Sequence, residues 1–133
     1  MLALFVAVAI ASTPGPPCAG ADPAVSDIRL KLVKKRGAPD HYVITTTITN
    51  AGAQAQTSAI TQRAELVQNG MPVAREPLPA LGAGVAYIVA FATDRASALR
   101  KTPLPVTVRY VLANGDAARN DCNTSNDVLI KVF

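Results

Sequence analysis

The stretch Asp121-Cys122-Asn123-Thr124-Ser125-Asn126-Asp127 decides the fold, through its composition and through what flanks it. Asn and Asp side chains hydrogen-bond to their own backbone and tolerate tight or left-handed turns, so such a run makes an ordered loop. On its amino side Val106, Val108, Tyr110 and Leu112 recur at every second position, and on its carboxyl side Val128 to Phe133 is again strand-forming. A period of two belongs to a strand with one buried face. The two runs and their polar cap predict the last hairpin of a small β-sandwich.

The same period returns toward the amino terminus. Val25, Ile28, Leu30 and Leu32, with Asp27, Arg29 and Lys31 among them, predict a first strand over residues 25–36, broken by Gly37-Ala38-Pro39-Asp40. His41 to Asn50 sorts into Tyr42, Ile44, Thr46 and Ile48 on one face and Val43, Thr45, Thr47 and Thr49 on the other. Rows of β-branched residues suit a pleated surface and suit a helix poorly. Asn50-Ala51-Gly52 predicts a turn with Asn or Gly at positive φ, and Gln54 to Thr61 a loop or frayed strand edge. Ile60, Gln62, Ala64 and Leu66 mark a third strand, closed by the hairpin signal Asn69-Gly70. Met71 to Arg75 returns as a short strand that Pro72, Pro77 and Pro79 confine to a sheet edge. Val85 to Thr93 is apolar on both faces, which predicts a central or covered strand; an exposed alanine face covered by a partner is the alternative. Asp94 to Pro105 is a polar link. Seven short strands with turns every eight to twelve residues or so predict an all-β chain, a seven-stranded immunoglobulin-like β-sandwich. No helix, repeat or heptad is expected.

With 133 residues the chain has room for one domain of the common ~100–150 residues. Half of it is hydrophobic and 17% charged, so it can bury a core; aromatics are 5% and Trp is absent, so Val, Ile, Leu and Ala must build that core. The formal charge is +4. Its densest spot, Lys34-Lys35-Arg36, reads as a solvated turn or as a contact for an anionic phospholipid, lipopolysaccharide or wall polymer. No aromatics interleave with the basic residues, which argues against nucleic acid as a partner.

Residues 1–21 carry no charge: an apolar run, Leu2 to Ala11, precedes a Pro/Gly-rich stretch, Thr13 to Ala21. That run is shorter than the ~20 apolar residues of a membrane span and reads as a secretory leader, although its positive amino-terminal region is missing. Cleavage fits after Ala11 or after Ala21, leaving a domain over about residues 22–133 and a secreted or periplasmic product. Gly15-Pro16-Pro17 before Cys18 does not match a lipoprotein signal. Cleavage after Ala21 removes Cys18 and leaves Cys122 a single thiol. Cleavage after Ala11 keeps both, and an immunoglobulin-like topology brings the start of the first strand to the end that carries the last loop, so a Cys18–Cys122 disulfide stays open.

Placed on those strands, the turns resemble those of the cell-adhesion-related domain found in bacteria (CARDB). The matching pieces are Ile48-Thr49-Asn50-Ala51-Gly52, Leu81-Gly82-Ala83-Gly84 and the terminal loop. The family's last loop resembles E-x-N-E-x-N-N; Asp121, Asn123, Asn126 and Asp127 fit its first, third, sixth and seventh places, and Thr124 stands for the second acid. The resemblance covers about residues 25–133. It implies a seven-stranded sandwich and an extracytoplasmic interaction module.

No catalytic constellation is legible. His41 is the single histidine and reads as a turn residue beside Asp40. One His and two Cys do not supply a zinc site of usual ligand count. Asp116, Asp121 and Asp127 with Asn114, Asn120 and Asn123 offer oxygen ligands for calcium, but their spacing is not an EF-hand loop and backbone capping accounts for the composition. The expectation is therefore a non-enzymatic chain with no cofactor and no metal. It would act in the bacterial cell envelope as a protein-interaction or adhesion module, through Lys34, Lys35 and Arg36 or through Asn114, Asp116, Asp121, Asn123, Asn126 and Asp127. Its partner would be a protein or an envelope polymer. The alternative is an inhibitor or accessory subunit of a secreted enzyme, working through loop 114–127.

Overall fold

The computed structural model describes residues 18–33, 39–96, 99 and 101–133. Its strands are β1 (Pro23–Val33), β2 (Asp40–Asn50), β3 (Thr61–Gln68), β4 (Met71–Pro77), β5 (Ala86–Arg95), β6 (Pro105–Asn114) and β7 (Val128–Val132). They form two antiparallel sheets, one ordered β1-β2-β5 and the other β4-β3-β6-β7. The sheets face each other, with β1 against β6 and β7 and β4 beside β5. This is an all-β sandwich.

The alternating pattern explains the layering. β2 buries Tyr42, Ile44, Thr46 and Ile48 and half-exposes the residues between them. β1 departs from strict alternation, because Val25 and Ile28 lie three positions apart yet both point inward. A bulge between Val25 and Asp27 resolves the conflict: the extra residue restores the inward phase. From the other sheet Ala64, Leu66, Val108 and Tyr110 meet Ile28, Ile44, Ile48 and Phe91 in one core. Burying each large aliphatic side chain contributes about 1.5–3 kcal/mol. Asn69 and Gly70, both at positive φ, make the tight β3–β4 hairpin that their sequence predicts.

Three expectations need correction. The strand after Gly84 is neither central nor covered: β5 is the edge of its sheet, and Ala86, Ile88, Ala90 and Ala92 face outward in the open. Alanine has so little apolar surface that exposing it costs little, and this defeated the inference from two-sided apolarity. Neither Asn50 nor Gly52 has positive φ; their constraint is crowding, described below. The last loop also holds one helical turn, α1 (Ala117–Asn120), and a 3-10 turn, Thr124–Asn126, where no helix was expected.

Candidate functional site

At one end of the sandwich the approach to β1 is clamped against the β6–β7 loop. Cys18 and Cys122 form a disulfide with their Cα atoms 5.9 Å apart. The Ala21 amide donates to the Arg119 carbonyl at 2.8 Å, and the Cys122 amide to the Ala21 carbonyl at 3.0 Å. Fully buried Asn50 is the hub. Its Oδ1 accepts from the amides of Asp22 at 2.9 Å and Gly52 at 3.0 Å; its Nδ2 donates to the carbonyls of Gln54 at 2.9 Å and Leu81 at 3.1 Å. All of its amide capacity is used, so four backbone groups in three chain segments are fixed by one side chain. Gly52 is required because a Cβ there would meet the Gly20 carbonyl oxygen at 2.4 Å. At Gly20 a Cβ would meet the Ala118 carbonyl oxygen at 2.5 Å.

A second polar layer lies beneath. Gln56 and Gln62, both buried, exchange amide hydrogen bonds of 2.7 and 2.8 Å, and the Tyr110 hydroxyl donates to Gln62 Oε1. Gln56 also donates to the Asn120 carbonyl at 3.0 Å and accepts from the Leu81 amide at 2.9 Å. Buried Asn120 accepts from the Thr57 amide at 2.8 Å and donates to the Asp116 carbonyl at 3.0 Å. Burial raises the Tyr110 hydroxyl well above its ordinary range, so it stays a neutral donor. Within residues 54–61, read from sequence as a loop or frayed strand edge, these bonds hold Gln54, Gln56 and Thr57 in place.

Asp121 and Asp127 of the loop turn inward toward Asp22. Asp22 and Asp121 are buried, and Asn126 donates to Asp22 Oδ2 at 3.0 Å. Burial raises the Asp121 carboxyl, partly offset by its hydrogen bond to Asp127. Asp127 is pushed up to about 9, by burial first and then by Asp121 and Asp22. One oxygen each of Asp22, Asp121, Asn126 and Asp127 lies buried with no partner. Among the described residues no three His, Cys, Asp or Glu side chains are disposed to hold a metal. What the pair Asp121–Asp127 can hold at neutral pH is a proton, since two buried carboxyls in contact do not both ionise.

The outward face of the four-stranded sheet carries another buried acid, which the sequence reading passed over. Glu65 on β3, 1% exposed in its side chain, accepts from Arg63 Nε at 2.8 Å, Arg75 Nε at 3.0 Å and Arg109 Nη2 at 2.5 Å. Burial alone would raise its carboxyl; hydrogen bonds from Arg63, Arg109 and Arg75 outweigh that and hold it at about 2. The available signal was Arg63-x-Glu65, two residues apart on one strand face, together with Arg109 directly opposite Glu65 on β6.

The nominated binding residues therefore part company. Asn114 and Asp116 are exposed, and Asp116 caps α1 by accepting from the Ala118 amide at 3.1 Å. Asn123 caps the 3-10 turn, while Asp121, Asn126 and Asp127 serve the interior cluster. Lys34, Lys35 and Arg36 lie outside the described residues. His41 pairs with Asp94 across β2 and β5, far along the chain from Cys122 and bonded to neither cysteine. Beside the clamp, Ala19, Gly20, Gln54, Asp116, Ala118 and Arg119 line a shallow, open depression of about 340 Å³. Comparison with known proteins finds no match among protein-family models, curated proteins or solved structures.

Proposed function

We propose that this chain is an exported, non-catalytic interaction module of a bacterial cell envelope, immunoglobulin-like in topology and related to the CARDB domains it resembles. The observation that carries the reading is the clamp. The disulfide, Asn50 and the close approaches at Gly20 and Gly52 hold residues 114–119 in place while leaving them exposed beside the depression. A surface ordered before contact loses little conformational entropy on binding, so even a small interface can be specific. A protein or an envelope polymer would meet Asn114, Asp116 and Arg119 there. Secretion is supported by the disulfide, which persists in oxidising compartments. No helix among the described residues is long and apolar enough to cross a membrane. Because Cys18 to Asp22 belong to the clamp, we place leader cleavage after Ala11; an intact mass beginning at Ser12 and two mass units below the dithiol value is expected.

A photo-crosslinking amino acid in place of exposed Ala117 tests the reading in intact cells. A discrete adduct that disappears in an Asp116→Lys/Arg119→Glu background supports it. Absence of any adduct, or adducts indifferent to that change, overturns it. Should the adduct be a secreted hydrolase whose rate falls when the purified domain is added, the inhibitor reading replaces the adhesive one.

A further inference from the structure

The four sheet edges are not equally protected. An edge strand presents unpaired backbone donors and acceptors, and proteins blunt such edges with proline, charge, bulges or brevity. β4 carries Pro72 and Pro77. β1 has its bulge and the exposed charges Arg29 and Lys31. β7 is five residues long and contains Lys131, whose Nζ donates to the Ile28 carbonyl at 3.1 Å. The 86–92 part of β5 has none of these devices: Ala86-Tyr87-Ile88-Val89-Ala90-Phe91-Ala92 holds no charge and no proline, and among the described residues β5 pairs with β2 alone. Ile88 is 65% exposed on its outward face.

We infer that this edge is the docking site for β5 of a second copy of the chain. The segment is close to self-complementary in the antiparallel sense. Turned about Val89, Ala86 falls opposite Ala92, Tyr87 opposite Phe91 and Ile88 opposite Ala90, small against small and aromatic against aromatic. Cross-strand aromatic and aliphatic pairs of this kind stabilise a ladder. Beyond the core of the ladder, Asp94 and Arg95 fall opposite Gly84 and Ala83, so no like charges meet. The arrangement is isologous, as a two-fold dimer requires, and joins two three-stranded sheets into one of six. The surface is separate from the clamped loop, and the inference does not depend on the function proposed above.

A ladder of about seven residues lies at the small end of specific interfaces, so the dimer is concentration-dependent, with a dissociation constant on the order of 10⁻⁵ M. Sedimentation velocity of the oxidised mature chain from micromolar to about half-millimolar concentration measures it. Ile88→Lys/Ala90→Lys places lysine opposite lysine twice across the two-fold and is expected to weaken association at least tenfold, with an unchanged circular dichroism spectrum because both side chains are exposed. Ile88→Lys/Ala90→Glu places lysine opposite glutamate in the same register and is expected to restore association to within about threefold of wild type. In wild-type spectra, only the amide signals of residues 85–93 should move with concentration. A wild type monomeric throughout, association indifferent to the paired lysines, failure of the lysine–glutamate variant to recover, or concentration-dependent shifts elsewhere overturns the inference.

Discussion

Glu65 on β3 and Asp127 in the β6–β7 loop are carboxyls withdrawn from water, yet their protons behave in opposite ways. Glu65 meets three guanidiniums, which outweigh burial and keep it ionised down to about 2. Asp127 meets Asp121 and the charge of Asp22, which add to burial and keep it protonated up to about 9. Removal from water disfavours the charge in both places; the partner decides which form survives. The arginine cluster is built from strand residues held in ladder register. The acidic cluster is built from loop residues that converge only because the clamp brings Asp22 against the β6–β7 loop.

The strongest way to break this contrast is to open the clamp. Cys18→Ser/Cys122→Ser frees two positions 104 apart in sequence, and chain-entropy reasoning gives a loss of about 5 kcal/mol. Urea unfolding measures the loss. The local signature is more telling: the Asp127 carboxyl should fall toward the ordinary carboxylate range as water enters, while Glu65 stays where it is. If both move, the two sites are not independent.

A smaller loss is expected on the arginine side. Glu65→Gln leaves three guanidiniums around a neutral amide; their outer ends are hydrated, so the cost is about 2–3 kcal/mol, below that of stranding a fully buried charge. The sign of its pH dependence follows from the lowered carboxyl. Its stabilisation is complete above the unfolded value near 4 and is lost as pH falls through about 2. The variant should flatten the acid limb of a stability profile measured between pH 2 and 5.

Asp127→Asn is the mildest change and runs the other way. A raised carboxyl gives stability that is complete below the unfolded value near 4 and drains away as pH climbs toward about 9. Asparagine keeps a donor toward Asp121 and has no proton to lose. The variant should match wild type within about 0.5 kcal/mol at pH 4 and exceed it by about 1–3 kcal/mol at pH 8, read from thermal or urea unfolding. A variant weaker than wild type at pH 8 would show that Asp127 is ionised in the native state.

The architecture was legible in the sequence because it depends on periodicity. Thr45, Thr47 and Thr49 outward against Ile44, Thr46 and Ile48 inward specify β2 as a two-faced strand, and Asn69-Gly70 specifies the β3–β4 turn. The bulge in β1 left a trace as well, in the three-residue step from Val25 to Ile28. What periodicity does not carry is partnership across long sequence separations. Asn50 looks like any turn asparagine until Leu81, 31 residues later, lies under its amide. Asp121 and Asp127 look like loop solvation until Asp22 closes on them from about a hundred residues away. Glu65 looks like a solvated strand acid until Arg75 and Arg109 arrive on neighbouring strands. Alanine hid the edge position of β5, since it is nearly as content exposed as buried.

The central claim is that Glu65 is neutralised by arginines and the Asp121–Asp127 pair by a proton held at a clamped loop. A carbon-detected NMR titration of the side-chain carboxyls in the oxidised wild-type chain tests it directly. The Asp121–Asp127 pair should keep one proton through neutrality and release it only in the alkaline range, with Glu65 still ionised at pH 3. Both groups titrating together near pH 4 would contradict the account.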